Sequence, residues 1–241
     1  MSVSIAICEL DSDEALCKRA KNSIIKVYLN SVKGLEEYAE YDDVATFEDA
    51  RRIFEKDWEN FLKRNRIAND ANEIYISKIK NDADVQRLAT VTFRKYTGWI
   101  NLGKVPESLK ERILSEASTE NRLTEWDMLG FDELNETCGR CPLSWDSGRG
   151  CIGTFGPDNS MLPEIARKYG CQIIADIPRL AKEGKKLEKG EIEQLLKEIS
   201  VLRERLPNEG KIAIRRYGGV LDRLEAASKT SLKYNTRLYF V

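Results

Sequence analysis

The sequence predicts a mainly α-helical protein, with a small β element formed by the two chain ends and a glycine-rich irregular loop that binds metal. The helices are indicated by apolar residues that recur every three or four positions, most clearly after Thr46 and across residues 191–205. The β element is indicated by short runs of β-forming residues at 2–8 and 237–241. The loop is indicated by residues 139–156, which hold five glycines and few helix-forming patterns.

The first half of the chain is expected to be mostly helical. Asp11, with Glu14 three residues later, predicts a capped helix over residues 11–30. Thr46 predicts the start of a second helix, in which aromatic residues share one face and charged residues share the other. Residues 74–99 contain β-forming residues in a polar background, and we interpret this stretch as helical.

The second half is expected to contain further helices on both sides of the irregular loop. Pro106 at a first helical position and Gly170 at a helix end set two of the boundaries. The predicted helices cover residues 107–117, 124–129, 161–169, 172–182, 191–205 and 212–228. We therefore divide the chain into a mostly helical region at 1–130 and a region at 131–241 that holds the cysteine loop and the C-terminal helices. One continuous domain is the alternative.

The composition points to a protein of the cytoplasm. The chain has 241 residues and a net charge of −1, which by itself favours no nucleic-acid or acidic partner. Charged residues make up 33% of the chain, as is typical of long solvated helices and of thermophile surfaces. The first residues lack a basic segment, and no apolar stretch approaches the roughly 20 residues of a membrane span. We expect a cytoplasmic protein without membrane association, from an anaerobe or a thermophile.

Four cysteines in the second half have a spacing that suggests a metal site. Cys138, Cys141, Cys151 and Cys171 give the pattern C-x2-C-x9-C-x19-C, and the chain contains no histidine. A four-coordinate site would therefore be all-thiolate, which restricts the metal to zinc or an iron–sulfur cluster. Zinc sites usually combine two close cysteine pairs, whereas here the third and fourth cysteines stand alone. We therefore predict a [4Fe–4S] cluster as the cofactor, with zinc as the alternative.

Other interpretations of the cysteines stay open. Cys171 follows a predicted helix end and is also explained by packing, in which case three ligands would leave one iron open. The pair Cys138 and Cys141 also fits a thiol–disulfide enzyme, although this would leave the other cysteines without a role. A set of free thiols without metal is a further alternative. Cys8 and Cys17 are interpreted as small buried apolar side chains.

The C-terminal end offers a second candidate site. Residues 211–241 carry seven basic and two acidic residues. Arg215, Arg216, Lys229 and Lys233 are the candidates for contact with nucleic acid or with a protein partner. The plainer interpretation of such a run is a solvated helix face.

The function predicted from these features is that of an iron–sulfur protein. Its cluster would transfer electrons or support the structure, as part of a larger enzyme or multi-subunit assembly. The alternative is a binding module for nucleic acid or protein, stabilised by zinc or an iron–sulfur cluster and using the basic C-terminal region. Without histidine there is no Ser–His or Cys–His pair, so the sequence identifies no catalytic residue and does not decide whether the chain is an enzyme. No family resemblance stands out.

Overall fold

The chain folds into two compact units. The structure, a computed structural model, describes residues 2–146, 150–157 and 161–241. Unit 1 consists of Met1–Ser23 together with Glu125–Val241, and unit 2 consists of Ile24–Thr124. Unit 2 is therefore an insertion in the sequence of unit 1, and neither unit has the bounds of the two regions proposed from the sequence.

Helices and strands occur in both units. The elements up to the end of unit 2 are β1 (Ser2–Ile7), α1 (Lys18–Asn22), β2 (Ile24–Tyr28), β3 (Ala39–Thr46), α2 (Phe47–Phe54), α3 (Trp58–Asn65), β4 (Glu73–Tyr75), α4 (Asp82–Leu88), β5 (Phe93–Asn101), α5 (Glu107–Glu116) and β6 (Arg122–Thr124). The elements after it are α6 (Phe131–Arg140), β7 (Ile152–Pro157), α7 (Leu162–Lys168), α8 (Gln172–Ala175), α9 (Ile177–Glu183), β8 (Lys186–Leu187), α10 (Lys189–Arg205), α11 (Lys211–Lys233) and β9 (Leu238–Phe240). Residues 147–149 of the predicted irregular loop, and residues 158–160 after it, lie outside the described residues.

Unit 1 is built on an antiparallel sheet with the strand order β7-β1-β9-β8. In the centre of this sheet, Ile5 pairs with Gly153 on one side and with Phe240 on the other. The apolar core of the unit combines Ile5 with fully buried side chains of the long helices, such as Leu195 of α10 and Leu221 of α11. Because β1 is paired on both edges, the N-terminal segment is fixed between the later parts of the chain.

Unit 2 is built on a second antiparallel sheet, with the order β4-β3-β5-β2-β6. Its first residue, Ile24, pairs with its last, Thr124, so the two ends of the insertion meet. Two apolar clusters lie within this unit, and in one of them the rings of Phe54 and Phe61 stack with centroids 3.9 Å apart. Unit 2 therefore has a core of its own.

The predicted fold class, mainly α-helical with a small β element from the termini, is wrong. The described residues form two antiparallel sheets besides the helices, so the protein is mixed α/β. Residues 11–30, predicted as one helix, contain α1 and strand β2, and residues 74–99 contain parts of β4 and β5 around α4. Strand partners such as Tyr28 and Trp99 are far apart in sequence, and local propensity does not reveal such pairings.

The helices follow the sequence pattern more closely than the strands do. The hydroxyl of Thr46 accepts the N–H of Asp49 at 3.0 Å and caps α2 as predicted. The predicted helix then breaks at Glu55, whose φ of +39° redirects the chain into α3. Within the described ranges, no helix is long and apolar enough to cross a lipid bilayer.

Candidate metal centre

One apolar cavity in unit 1 is lined by four cysteines. Its lining residues are Cys17, Thr137, Cys138, Cys141, Gly150 and Cys151. As the side chains stand, they leave a cavity of about 10 Å³ between them, room for about one water molecule. It unites three of the four cysteines predicted as metal ligands, and the fourth cysteine of its lining is Cys17 in place of Cys171.

Helix α6 places Cys138 and Cys141 next to each other at its C-terminal end. At the start of the helix, the Glu133 carboxylate accepts the N–H of Gly130 at 2.8 Å. Cys138 lies in the last turn, where the sequence predicted irregular chain, and Cys141 follows the helix in an extended conformation. The N–H of Cys141 donates to the Cys138 carbonyl at 3.2 Å. The helix end therefore brings both side chains to the cavity.

Gly150 lets the chain pass close to Cys138. Its φ of +108° lies in a region that side-chain-bearing residues rarely adopt. A Cβ atom at this position would lie 3.2 Å from the Cβ and 3.6 Å from the Sγ of Cys138. The N–H of Gly150 donates to the Ser144 hydroxyl at 3.1 Å, and its carbonyl accepts the N–H of Trp145 at 3.2 Å. Glycine is thus required both by the backbone conformation and by the closeness of the thiol.

Cys151 is held by two hydrogen bonds to its carbonyl oxygen. The N–H of Ile7 in β1 donates to it at 3.0 Å, and the indole Nε1–H of Trp145 donates at 2.9 Å. The indole also lies against β7, because a Cβ atom on Gly153 would be only 2.5 Å from its Cη2. Trp145 therefore anchors the cysteine segment to the sheet.

Cys17 reaches the cavity from the N-terminal segment, immediately before α1. It is 7% exposed and belongs to an apolar cluster that also contains Cys141. One turn later, the N–H of Lys21 donates to the Cys17 carbonyl at 2.9 Å. The Lys21 ammonium pairs with Glu9 and lies 5.3 Å from the ring centroid of Trp126. A fixed cation therefore lies one turn from a cavity thiol.

The cavity disfavours free thiolates. Burial raises the pKa of the Cys17 and Cys138 thiols and raises the pKa of Cys151 to about 12. Glu9 raises the pKa of these three thiols further, and Lys21 lowers it only in part. Thiolates would therefore need a bound cation as a partner. A thiol–disulfide enzyme needs the opposite, a cysteine with a lowered pKa at a helix N-terminus, whereas Cys138 lies at a C-terminus.

Cys171 lies in the core of unit 1 and does not line the cavity. It is 1% exposed, and its thiol donates to the carbonyl oxygens of Tyr169 at 3.8 Å and Glu198 at 3.6 Å. The carboxylate of Glu198 in turn accepts the N–H groups of Ile173 and Ile174 at the start of α8. These contacts give Cys171 a packing role at a helix start.

The four basic C-terminal candidates all lie on α11. Arg215, Arg216, Lys229 and Lys233 are exposed. Lys229 is paired with Glu225 in the same helix. Asp222 lies seven residues from both Arg215 and Lys229, so it falls on the same helix face and interrupts the positive charge there. Two pairs of basic residues result, one near each end of the helix.

No local pattern in the sequence connects Cys17 with the other three cysteines. It precedes Cys138 by more than a hundred residues, with the whole of unit 2 between them. As the side chains stand, no three residues of the usual metal-binding types lie close enough together to hold one ion within the described part of the chain. The structure thus identifies residues that could hold a group, without a formed coordination sphere.

The case for a metal centre therefore rests on this chain's own residues. The lining cysteines come from three places in the sequence, before α1, at the end of α6 and before β7. Family models, curated proteins and solved structures were compared with this chain, and none of them matches it.

Proposed function

We propose that this chain is an iron–sulfur protein and that its cluster, a [4Fe–4S] cubane, binds in the cysteine-lined cavity. The observation that supports the proposal is the convergence of cysteines from separate segments on one apolar cavity. Cys138, Cys141 and Cys151 would be three of the ligands. The cysteine side chains of this lining suit a cluster, whose iron atoms bind thiolates. Structural zinc is the competing occupant.

The proposed role of the cluster is to support the structure of unit 1. A cluster binds several cysteines at once and so cross-links the segments that carry them. Electron transfer is the alternative role, in which the cluster exchanges one electron at a time with a redox protein in a larger enzyme or assembly. The partial exposure of Cys138 and Cys151 supports this alternative, because it leaves one edge of the site near the surface. A cytoplasmic location is part of the proposal, since a reducing compartment keeps thiols free.

Purification under anaerobic conditions tests the proposal. We expect a brown protein with broad visible absorption and about four iron and four sulfide per chain. Replacement of Cys138 or Cys151 by serine should lower the iron content and weaken the visible absorption, because each change removes a thiolate ligand. Cys8→Ser is the matched control, since Cys8 is also a buried cysteine of unit 1 but lies outside the cavity, and it should keep the iron. A colourless wild-type protein with one zinc per chain would contradict the proposal.

A second candidate function is the binding of a partner at the start of α11. Arg215 and Arg216 are exposed and form no ion pair with any residue that the structure describes. Beside them, Ile212 is 80% and Ile214 is 45% exposed. Exposed isoleucines next to free guanidinium groups are typical of surfaces that contact proteins, and the charge alone would also attract nucleic acid.

Binding to a labelled single-stranded oligonucleotide separates the two kinds of partner. If the surface binds nucleic acid, the double change Arg215→Ala with Arg216→Ala should lower the affinity and reduce the slope of log affinity against log salt by about 2. Lys189→Ala with Lys197→Ala removes the same charge from exposed positions on α10 and is the control. Binding that responds neither to salt nor to the arginine changes would exclude nucleic acid and leave a protein partner.

A further inference from the structure

The fourth ligand of the proposed site has two main candidates among the remaining cysteines. The sequence spacing favours Cys171 as the fourth ligand, because it is the nearest cysteine after Cys151. Cys17 lines the cavity itself. Cys8 faces a different cavity, whose lining includes Asp11 and Arg237.

Contacts within unit 1 connect Cys17 to the other three cysteines. Cys17 and Cys141 share one apolar cluster, and Cys151 packs against that cluster. Cys17 and Cys151 both line the cavity, as do Cys138 and Cys141. The side chains of all four residues therefore surround the same space.

The contacts of Cys171 hold it away from the cysteine-lined cavity. Its thiol is directed to the carbonyl oxygens of Tyr169 and Glu198, and it packs among residues such as Leu162 and Ile174 of another cluster. Its backbone N–H donates to the Ala166 carbonyl at 2.9 Å. To reach the cavity it would have to leave these partners and break the junction of α7 and α8.

The surroundings of Cys17 also suit a ligand. Four thiolates on a cluster leave a negative site, and Lys21 supplies a positive charge one turn after Cys17. Its ion pair with Glu9 and its position at the Trp126 ring fix that charge. Lys21 would therefore lie beside a bound cluster, with part of its charge offset by Glu9.

We infer that Cys17 completes the metal site together with Cys138, Cys141 and Cys151, and that Cys171 is not a ligand. The inference rests on the proposed presence of a metal centre in the cavity. It gives the ligand pattern C-x120-C-x2-C-x9-C, in which the long gap contains the whole of unit 2. The site would then join the N-terminal segment of unit 1 to the segment that follows the insertion.

Serine variants of the two cysteines test the inference in the full-length protein, purified anaerobically. We expect Cys171→Ser to keep the iron content and visible spectrum of the wild type. Cys17→Ser should lose at least about one of four irons, or show the electron paramagnetic resonance signal of a three-iron cluster after oxidation. The reverse result would overturn the inference, and so would full iron retention in both variants.

Alkylation of the wild-type protein tests the same inference without a variant, so the result does not depend on whether a variant folds. Cysteines are alkylated before and after removal of the metal with a chelator, and the modified residues are identified by mass spectrometry. Cys17 should gain reactivity together with Cys138, whereas Cys171 should not change. A gain at Cys171 without one at Cys17 would overturn the inference.

The two experiments also separate this inference from the proposed function. A wild-type protein that binds zinc in place of iron refutes the proposed cluster, yet zinc content and alkylation still decide between Cys17 and Cys171. A wild-type protein that binds neither metal under reconstitution refutes both.

Discussion

Removal of the cluster is expected to destabilise unit 1 by about 3 kcal/mol and to leave unit 2 unchanged, since a cross-link that closes a loop of about 15 residues contributes about that much. The ligands proposed for the site lie on both sides of the insertion. Unit 2 closes most of the intervening chain by itself, because Ile24 pairs with Thr124. Where the chain leaves and re-enters unit 1, the N–H of Glu125 also donates to the Ser23 carbonyl at 2.9 Å. The loop left for the metal to close is therefore a short one, of about 20 residues.

Hydrogen exchange measured by mass spectrometry, on protein with and without metal, resolves the two units. We expect faster exchange after metal removal in β1, α1 and α6, which carry or adjoin the cavity cysteines. Exchange in β3 and β5 should stay the same, because both strands belong to the core of unit 2. Restored protection after reconstitution with iron and sulfide is the control. Equal acceleration in both units, or none in either, would contradict a structural role for the cluster.

A structural role and electron transfer make different demands on the same site. Electron transfer needs a cluster whose potential lies in the range of a partner and whose edge is near the surface. A structural role in unit 1 requires only that the cluster binds its cysteine ligands. A metal-free protein with unchanged exchange in α6 would therefore favour electron transfer, in which Cys138 and Cys151 would form the exposed edge.

Local sequence patterns predicted several of the helices and grouped three of the four cavity cysteines. The cap at Thr46, the apolar face of α10 and the close spacing of Cys138, Cys141 and Cys151 are all features of contiguous sequence. Each depends on neighbours within about one to three helical turns, which is the range over which periodicity and propensity act. The sequence therefore predicts features that are formed by residues close together in the chain.

The second sheet and the placement of Cys17 could not be predicted in this way. Strand β5 pairs with β2 and β3, and its register is decided by contacts such as Tyr28 with Trp99 and Val44 with Phe93. Its own residues do not exclude a helix, so tertiary pairing overrides local preference. Cys17 resembles any small buried residue until the fold brings it beside Cys141. The second sheet and the placement of Cys17 both depend on contacts between residues that are far apart in the sequence.

Substitution of Gly150 by alanine is expected to weaken metal retention by about tenfold or more. The φ of +108° at this position is unfavourable for alanine, and such backbone strain costs about 1–3 kcal/mol. The new Cβ would also lie 3.2 Å from the Cβ of Cys138, so that this thiol must shift from its position in the cavity. Each increment of about 1.4 kcal/mol corresponds to about tenfold in an equilibrium constant.

Gly184→Ala is the matched control for this substitution. Gly184 ends α9 in unit 1 with a φ of +61°, and no atom lies within 4 Å of a Cβ built on it. Alanine there introduces backbone strain in the same unit without crowding a cavity cysteine. Competition with a chelator, followed through the visible absorption, should therefore show faster metal loss from Gly150→Ala than from Gly184→Ala. Equal rates in the two variants would mean that the closeness of Gly150 to Cys138 does not matter for the site, and that the thiol can move without loss of binding.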